Sequence, residues 1–82
     1  MEKLFELARK ILAEQLNIDM DKIQVDTTFE ELEADSIDIV EMIMALEDIY
    51  DVEFPEDDLE SYPTLGSLIE VLYQFLEQEN KI

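Results

Sequence analysis

Apolar residues recur along most of the chain at the spacing that places them on one face of an α-helix. In residues 2–16 this repeat predicts an amphipathic helix. Its apolar face consists of Leu4, Ala8, Ile11 and Leu12, with Phe5 and Leu16 at the edges. The same spacing predicts a second helix over residues 36–51 and a third over residues 65–78, where Thr64 is the expected N-terminal cap.

The residues between the first two helices, 17–35, contain no helix-length apolar run and predict a long ordered loop. One turn is expected within this loop, with Thr27 or Thr28 as its cap and Glu30 or Glu31 reaching back. The apolar residues expected to hold the loop against the core are Ile18, Ile23, Val25, Phe29 and Leu32.

Pro55 and the acidic residues that follow it predict a short helix over residues 56–61, because both favour a helix N-terminus. Three longer helices and this short one predict an all-α fold, a small four-helix bundle with a long first loop. We expect a single domain over residues 1–82, because a chain of 82 residues has room for one modest core.

The second predicted helix has two different faces. One arc of roughly 120°, found by advancing about 100° per residue, carries no charge and is the expected core face. It consists of Ile39, Met42, Ile43, Leu46, Ile49 and Tyr50. The opposite side carries three apolar residues among four carboxylates: Ile37, Val40 and Met44 with Glu41, Glu47, Asp48 and Asp51. Either some of these residues contact the loop or a neighbouring helix, or they form a docking face in which the apolar residues are anchors and the carboxylates meet Arg and Lys of a partner. We favour docking.

Charge is the strongest compositional feature, since 23 acidic residues stand against 5 basic ones and the net charge is −18. Such a surface repels phosphate backbones and anionic lipid headgroups, so we expect no nucleic-acid partner. It serves solubility alone, or it steers the chain toward basic patches on other proteins. No stretch reaches the roughly 18 apolar residues of a membrane span, and the N-terminus does not resemble a signal or transit peptide. We expect a soluble intracellular protein.

The chain contains neither histidine nor cysteine, which excludes Ser-His-Asp and Cys-His arrangements and His/Cys zinc sites. Asp19, Asp21 and Glu30 match three positions of a calcium-binding loop, but Gln24 stands where that loop needs glycine and Ile23 replaces a ligand. We therefore predict no metal site and no catalytic residue.

Ser36, at the start of the second predicted helix, has three possible roles. Asp35 or Ser36 can cap the helix, and Asp38 adds favourable negative charge in the first turn. Catalysis fits poorly, because only carboxylates and lysines are available to activate the hydroxyl. As a modification site, the hydroxyl would hold a phosphodiester whose negative charge the helix dipole favours.

The sequence around Ser36 resembles a known family. Residues 34–38, ADSID, together with Val40-Glu41 and residues 44–47, MALE, resemble an acyl carrier protein around its phosphopantetheine serine. The likeness runs over nearly the whole chain and implies a non-catalytic carrier with a four-helix bundle fold. In this family a phosphopantetheinyl transferase (holo-acyl-carrier-protein synthase) attaches 4′-phosphopantetheine from coenzyme A to the serine, here Ser36. The terminal thiol of the arm then carries acyl groups as thioesters between enzymes.

The resemblance also implies which residues meet partners. Asp35 and Asp38 lie beside the attachment residue in the motif, and the residues that match the partner-facing helix are Ile37, Glu41, Met44, Glu47 and Asp48. The expected pathway is type II fatty acid synthesis, with enzymes that dock through basic patches, and the expected state is a cytoplasmic monomer. Two alternatives stay open: a carrier of a polyketide, non-ribosomal peptide or other specialised acyl pathway, and an acidic helical adaptor without a prosthetic group.

Three residues depart from the usual pattern of the family. Ile37 stands where leucine is commonest, Glu33 where glycine is frequent, and Tyr50 where phenylalanine is frequent. The change at Ile37 is conservative, and Glu33 adds a carboxylate next to the motif. If the ring of Tyr50 is buried, its hydroxyl must find a hydrogen-bond partner or reach water.

Overall fold

The computed structural model describes residues 2–54 and 61–82. These residues form three α-helices, α1 (Glu2–Leu16), α2 (Ser36–Tyr50) and α3 (Leu65–Gln78), with a 3₁₀ turn at Met20–Lys22. The described part of the chain contains no β-strand, and α1 packs against both α2 and α3. The predicted all-α fold class is confirmed. The predicted short helix over residues 56–61 lies outside the described residues, apart from Ser61.

A single apolar core joins the three helices and the loop. Its buried side chains are Leu4, Ala8, Leu12, Ala13, Ile23, Phe29, Ile39, Met42, Ile43, Leu46, Phe54, Leu65, Leu68, Ile69, Leu72 and Leu76. Beside α3, the ring of Phe54 meets that of Phe75 edge to face, with the ring centroids 5.5 Å apart. No polar side chain among the described residues is buried, so burial of apolar surface stabilises this core without any internal ion pair. None of the described helices is long and apolar enough to cross a membrane.

Backbone hydrogen bonds hold the first loop, residues 17–35, against the start of α3. The Phe29 N–H donates to the carbonyl of Pro63 at 2.9 Å, and the Gly66 N–H donates to the carbonyl of Val25 at 3.1 Å. A turn in the loop is closed by Thr28 and Glu31, which exchange hydrogen bonds of 3.0 Å between side chain and backbone N–H in both directions. The predicted turn with a reaching glutamate is therefore confirmed, and the bonds from Thr28 lower the pKa of the Glu31 carboxyl.

Arg9 fastens the other end of the loop to α1. Its Nη1 donates to the carbonyl of Ile23 at 3.3 Å, and its Nη2 donates to both carboxylate oxygens of Glu6, at 2.8 and 3.0 Å. The guanidinium also lies over the ring of Phe5, 5.6 Å from the ring centroid. Because the ion pair with Glu6 is partly exposed, we attribute its main effect to orienting Arg9 toward the loop rather than to stability of its own.

Residues in the left-handed backbone conformation follow the helices and the turn of the loop. Among residues 2–54 and 61–82, four residues other than glycine have positive φ, all between 55° and 58°: Asn17, Glu33, Asp51 and Asn80. In each case the next residue donates its N–H to a carbonyl five residues back, as Ile18 does to Ala13 and Ala34 does to Phe29, both at 3.0 Å. Glu33, where the family often has glycine, thus occupies a backbone conformation that glycine adopts most easily.

Two apolar residues expected in or against the core are exposed instead. Ile49, predicted on the core face of α2, is 54% exposed, and Val25, predicted to hold the loop, is 60% exposed. Ile49 lies near the end of α2, where the described elements leave an open groove between the helices rather than a closed core. Val25 holds the loop against α3 through its backbone carbonyl, which accepts the N–H of Gly66.

The loop backbone lies directly against Gly66, the chain's only glycine, and leaves no room there for a larger side chain. A Cβ added at this position would lie 2.5 Å from Val25 Cγ1 and 2.6 Å from the Val25 carbonyl oxygen. Gly66→Ala should therefore lower the free energy of unfolding by about 1–3 kcal/mol, the usual cost of overpacking. Helix propensity alone would change stability in the opposite direction, by about 1 kcal/mol. Urea denaturation measures the difference.

The control for this experiment distinguishes the contact with the Val25 carbonyl from the contact with the Val25 side chain. Val25→Ala removes the methyl group that a new Cβ would meet and leaves the carbonyl in place. Gly66→Ala should therefore remain destabilising in the Val25→Ala background. Stabilisation by Gly66→Ala in either background would contradict the close approach.

Candidate functional site

Asp35 and Asp38 define the start of α2. Asp35 is the N-cap, and its Oδ1 accepts the N–H of Asp38 at 3.1 Å. In return, Asp38 Oδ2 accepts the N–H of Asp35 at 3.3 Å, which completes a capping box. The sequence left the cap open between Asp35 and Ser36; the structure assigns it to Asp35.

Ser36 is consequently the first residue of α2, and its hydroxyl does not cap the helix. The side chain is exposed, and within residues 2–54 and 61–82 the hydroxyl has no hydrogen-bond partner. It stands at the positive end of the helix dipole, where the first backbone N–H groups have no partner within the helix. A negatively charged group attached to this oxygen would be favoured there and would face water.

A shallow groove of about 430 Å³ opens beside Ser36. Three separate parts of the chain line it: the loop through Thr28 and Phe29, α2 through Ile39, and the segment before α3 through Tyr62 and Pro63. The hydrogen bond from the Phe29 N–H to the Pro63 carbonyl brings the loop and that segment together. Sequence reasoning missed these residues, because their proximity to Ser36 is created by contacts between distant parts of the chain.

The side of α2 opposite the core is exposed along its length. Ile37, Val40 and Met44 are 64%, 40% and 57% exposed, respectively. This exposure favours the interpretation of a docking face over contact with the loop or a neighbouring helix. We call this surface the acidic face and define it as Ile37, Val40, Glu41, Met44, Glu47 and Asp48.

The carboxylates of the acidic face differ in their hydrogen bonds. Asp48 is exposed and its carboxylate forms no hydrogen bond or ion pair with another described residue, whereas Glu41 Oε2 accepts a hydrogen bond from the side-chain amide of Gln15 at 3.2 Å. Glu47 is half-buried, and its Oε2 accepts the N–H of Phe54 at 2.7 Å. Glu47 thus fastens the chain that follows α2, a role that no local pattern in the sequence indicates.

The described residues contain no cluster of side chains suited to bind a metal ion. No group of three or more Asp or Glu side chains within residues 2–54 and 61–82 is placed to hold a metal ion. The partial calcium pattern of Asp19, Asp21 and Glu30 is therefore not gathered into a site.

Comparison with known proteins adds the family. The pattern of the family described as "Phosphopantetheine attachment site" matches residues 6–72. The acyl carrier protein of Clostridium perfringens (strain SM101) is 38% identical over 76 residues, which cover 92% of this chain and 100% of that protein. The acyl carrier protein of Sulfurovum sp. (strain NBC37-1) is 41% identical over 70 residues, which cover 84% of this chain and 93% of that protein. The chain belongs to the acyl carrier protein family.

Membership of the acyl carrier protein family determines the type of function. The chain is a carrier and not a catalyst, and its prosthetic group is covalent 4′-phosphopantetheine. It interacts with a phosphopantetheinyl transferase and with enzymes that handle acyl groups. The residues around α2 fit such a group, since Ser36 offers a free, exposed hydroxyl at a helix N-terminus with a groove beside it.

Proposed function

We propose that Ser36 is the residue that carries 4′-phosphopantetheine and that this acyl carrier protein serves type II fatty acid synthesis. The observation that carries the assignment is the free hydroxyl of Ser36. Asp35 and Asp38 form the capping box at the start of α2, and the serine hydroxyl takes no part in it. An acidic adaptor without a prosthetic group would not account for the match of residues 6–72 to the phosphopantetheine attachment family. The matched acyl carrier proteins cover nearly the whole chain and support the same assignment.

The residues around Ser36 hold its side chain in a defined position. Asp35 and Asp38 hold the first turn of α2, so the Ser36 oxygen projects from a fixed point rather than from a fraying end. The helix dipole favours the negative charge of a phosphodiester at this oxygen. When bound, 4′-phosphopantetheine supplies the terminal thiol that holds acyl groups as thioesters. Apolar Phe29 and Ile39 in the adjacent groove offer contact area close to the attachment point.

The acidic face is the docking surface in this proposal. Ile37, Val40 and Met44 supply exposed apolar contacts beside Ser36, and methionine adapts to pockets of different shape. Glu41 and Asp48 supply charge that attracts basic patches on the transferase and on fatty acid synthase enzymes. Glu47 contributes its remaining carboxylate oxygen while it holds Phe54. A discrete carrier of this kind acts as a cytoplasmic monomer that passes from one enzyme to the next.

The attachment residue is tested by intact mass spectrometry after incubation with coenzyme A, Mg²⁺ and a broad-specificity phosphopantetheinyl transferase. We expect the unmodified parent chain to gain one phosphopantetheine and Ser36→Ala to gain none. Ser61→Ala is the matched control, because Ser61 lines the same groove and should not affect the gain. A folded, unmodified parent that gains no mass would favour the adaptor, and a Ser36→Ala variant that still gains mass would place the arm elsewhere.

The docking surface is tested by reversing one charge. Glu41→Lys should weaken binding to the transferase by about tenfold at low salt, mainly through slower association, and the loss should shrink as salt screens the charges. The helical circular dichroism should stay unchanged, because the bond from Gln15 to Glu41 is exposed.

Glu77→Lys is the matched control for this reversal. It makes the same change in net charge on an exposed residue near the end of α3. If both variants weaken transferase binding equally, overall charge and not the acidic face governs docking.

A further inference from the structure

A second surface lies at the end of the bundle away from Ser36. It is an open groove of about 760 Å³ between the start of α1, the end of α2 and the end of α3. Apolar side chains from separate elements line it, including Leu7 of α1, Met20 of the 3₁₀ turn, Ile49 of α2 and Tyr73 of α3. Ile49 is thirteen residues beyond Ser36 on the same helix, which places the two roughly 20 Å apart. The groove is therefore separate from the proposed attachment site.

The border of the groove is basic in an otherwise acidic chain. Lys3, Lys10 and Lys81 border it, which is three of the chain's 5 basic residues. Within residues 2–54 and 61–82 none of these lysines forms an ion pair, although the chain has 23 acidic residues. The carboxylate of Glu6 also borders the groove, but it is paired with Arg9 at 2.8 Å. An apolar groove surrounded by unpaired cations is complementary to an acidic, apolar partner.

The spacing of the lysines indicates the shape of that partner. Lys3 and Lys10 lie on one side of α1, two turns and roughly 10.5 Å apart along the axis, with Leu7 between them. A helix lying along α1 matches this spacing if it carries two carboxylates two turns apart and apolar residues between them. Such a helix would also cover Ile49, which is 54% exposed.

We propose that this groove docks an acidic amphipathic helix of a partner protein. The proposal goes beyond carriage of acyl groups and does not depend on it, since it uses no residue of the acidic face. Because the groove and Ser36 lie at opposite ends of α2, the partner can stay bound while another enzyme acts at Ser36. A second copy of this chain is a poorer occupant, because two chains of net charge −18 repel each other.

The test uses a labelled synthetic helical peptide with two glutamates seven positions apart and leucines between them. Fluorescence anisotropy gives its affinity for the full chain, and amide chemical shifts locate it. We expect shifts at Leu7, Ile49 and Tyr73, and a loss of affinity of about tenfold or more in Lys10→Glu. Lys22→Glu makes the same charge change at an exposed lysine outside the groove and should change affinity less than about twofold. A peptide with lysines in place of both glutamates should not bind the groove.

Several results would overturn the proposal. Equal losses in Lys10→Glu and Lys22→Glu would mean that only overall charge attracts the peptide. Shifts confined to Ile37 and Met44 would place the peptide on the acidic face. Binding of decanoate in the groove without binding of the peptide would make it a small-molecule site. Self-association in sedimentation that disappears in Lys10→Glu would make a second copy the occupant.

Discussion

The reciprocal hydrogen bonds between Asp35 and Asp38 are the constraint on which the geometry around Ser36 depends. They fix Asp35 as the N-cap, so that α2 begins at Ser36. With the start at Ser36, the residues Ile39, Met42, Ile43 and Leu46 are buried, and Ile37, Val40 and Met44 face outward. The same two bonds free the Ser36 hydroxyl from any capping role. The apolar spacing of α2 thus sets which residues are buried, and the cap sets where the helix begins and leaves the proposed attachment oxygen accessible.

The loop before α2 matters because it brings distant residues to this point. The bonds from Phe29 to Pro63 and from Gly66 to Val25 hold the loop against the start of α3, while Arg9 holds Ile23 against α1. None of these contacts involves a large buried charge, so the loop is positioned by many modest interactions. The groove beside Ser36 results from them. Its shape therefore depends on contacts that lie well outside the sequence motif around the serine.

The features that could be predicted from the sequence are those that follow from the local spacing of apolar and capping residues. The apolar spacing indicated the three described helices and most of their buried residues, and the pairing of Thr28 with Glu31 followed from a capping pattern. Periodicity did not predict the exposure of Ile49, because whether the end of a helix is covered depends on the lengths of its neighbours. The bond from Phe54 to Glu47 and the approach of Val25 to Gly66 are contacts between separate segments, which one sequence does not specify. The choice between Asp35 and Ser36 as cap needed the geometry, since both residue types cap helices well.

Comparing the stabilities of three variants at the start of α2 tests this account most directly. Asp35→Ala removes the acceptor of the Asp38 N–H and should lower the free energy of unfolding by about 1 kcal/mol, whereas Asp35→Asn should retain most of the stability because asparagine also caps. Ser36→Ala should leave the free energy of unfolding within about 0.5 kcal/mol of the parent, as expected for an exposed side chain without partners. If Ser36→Ala costs as much as Asp35→Ala, the serine caps the helix and its hydroxyl is not free to carry a prosthetic group.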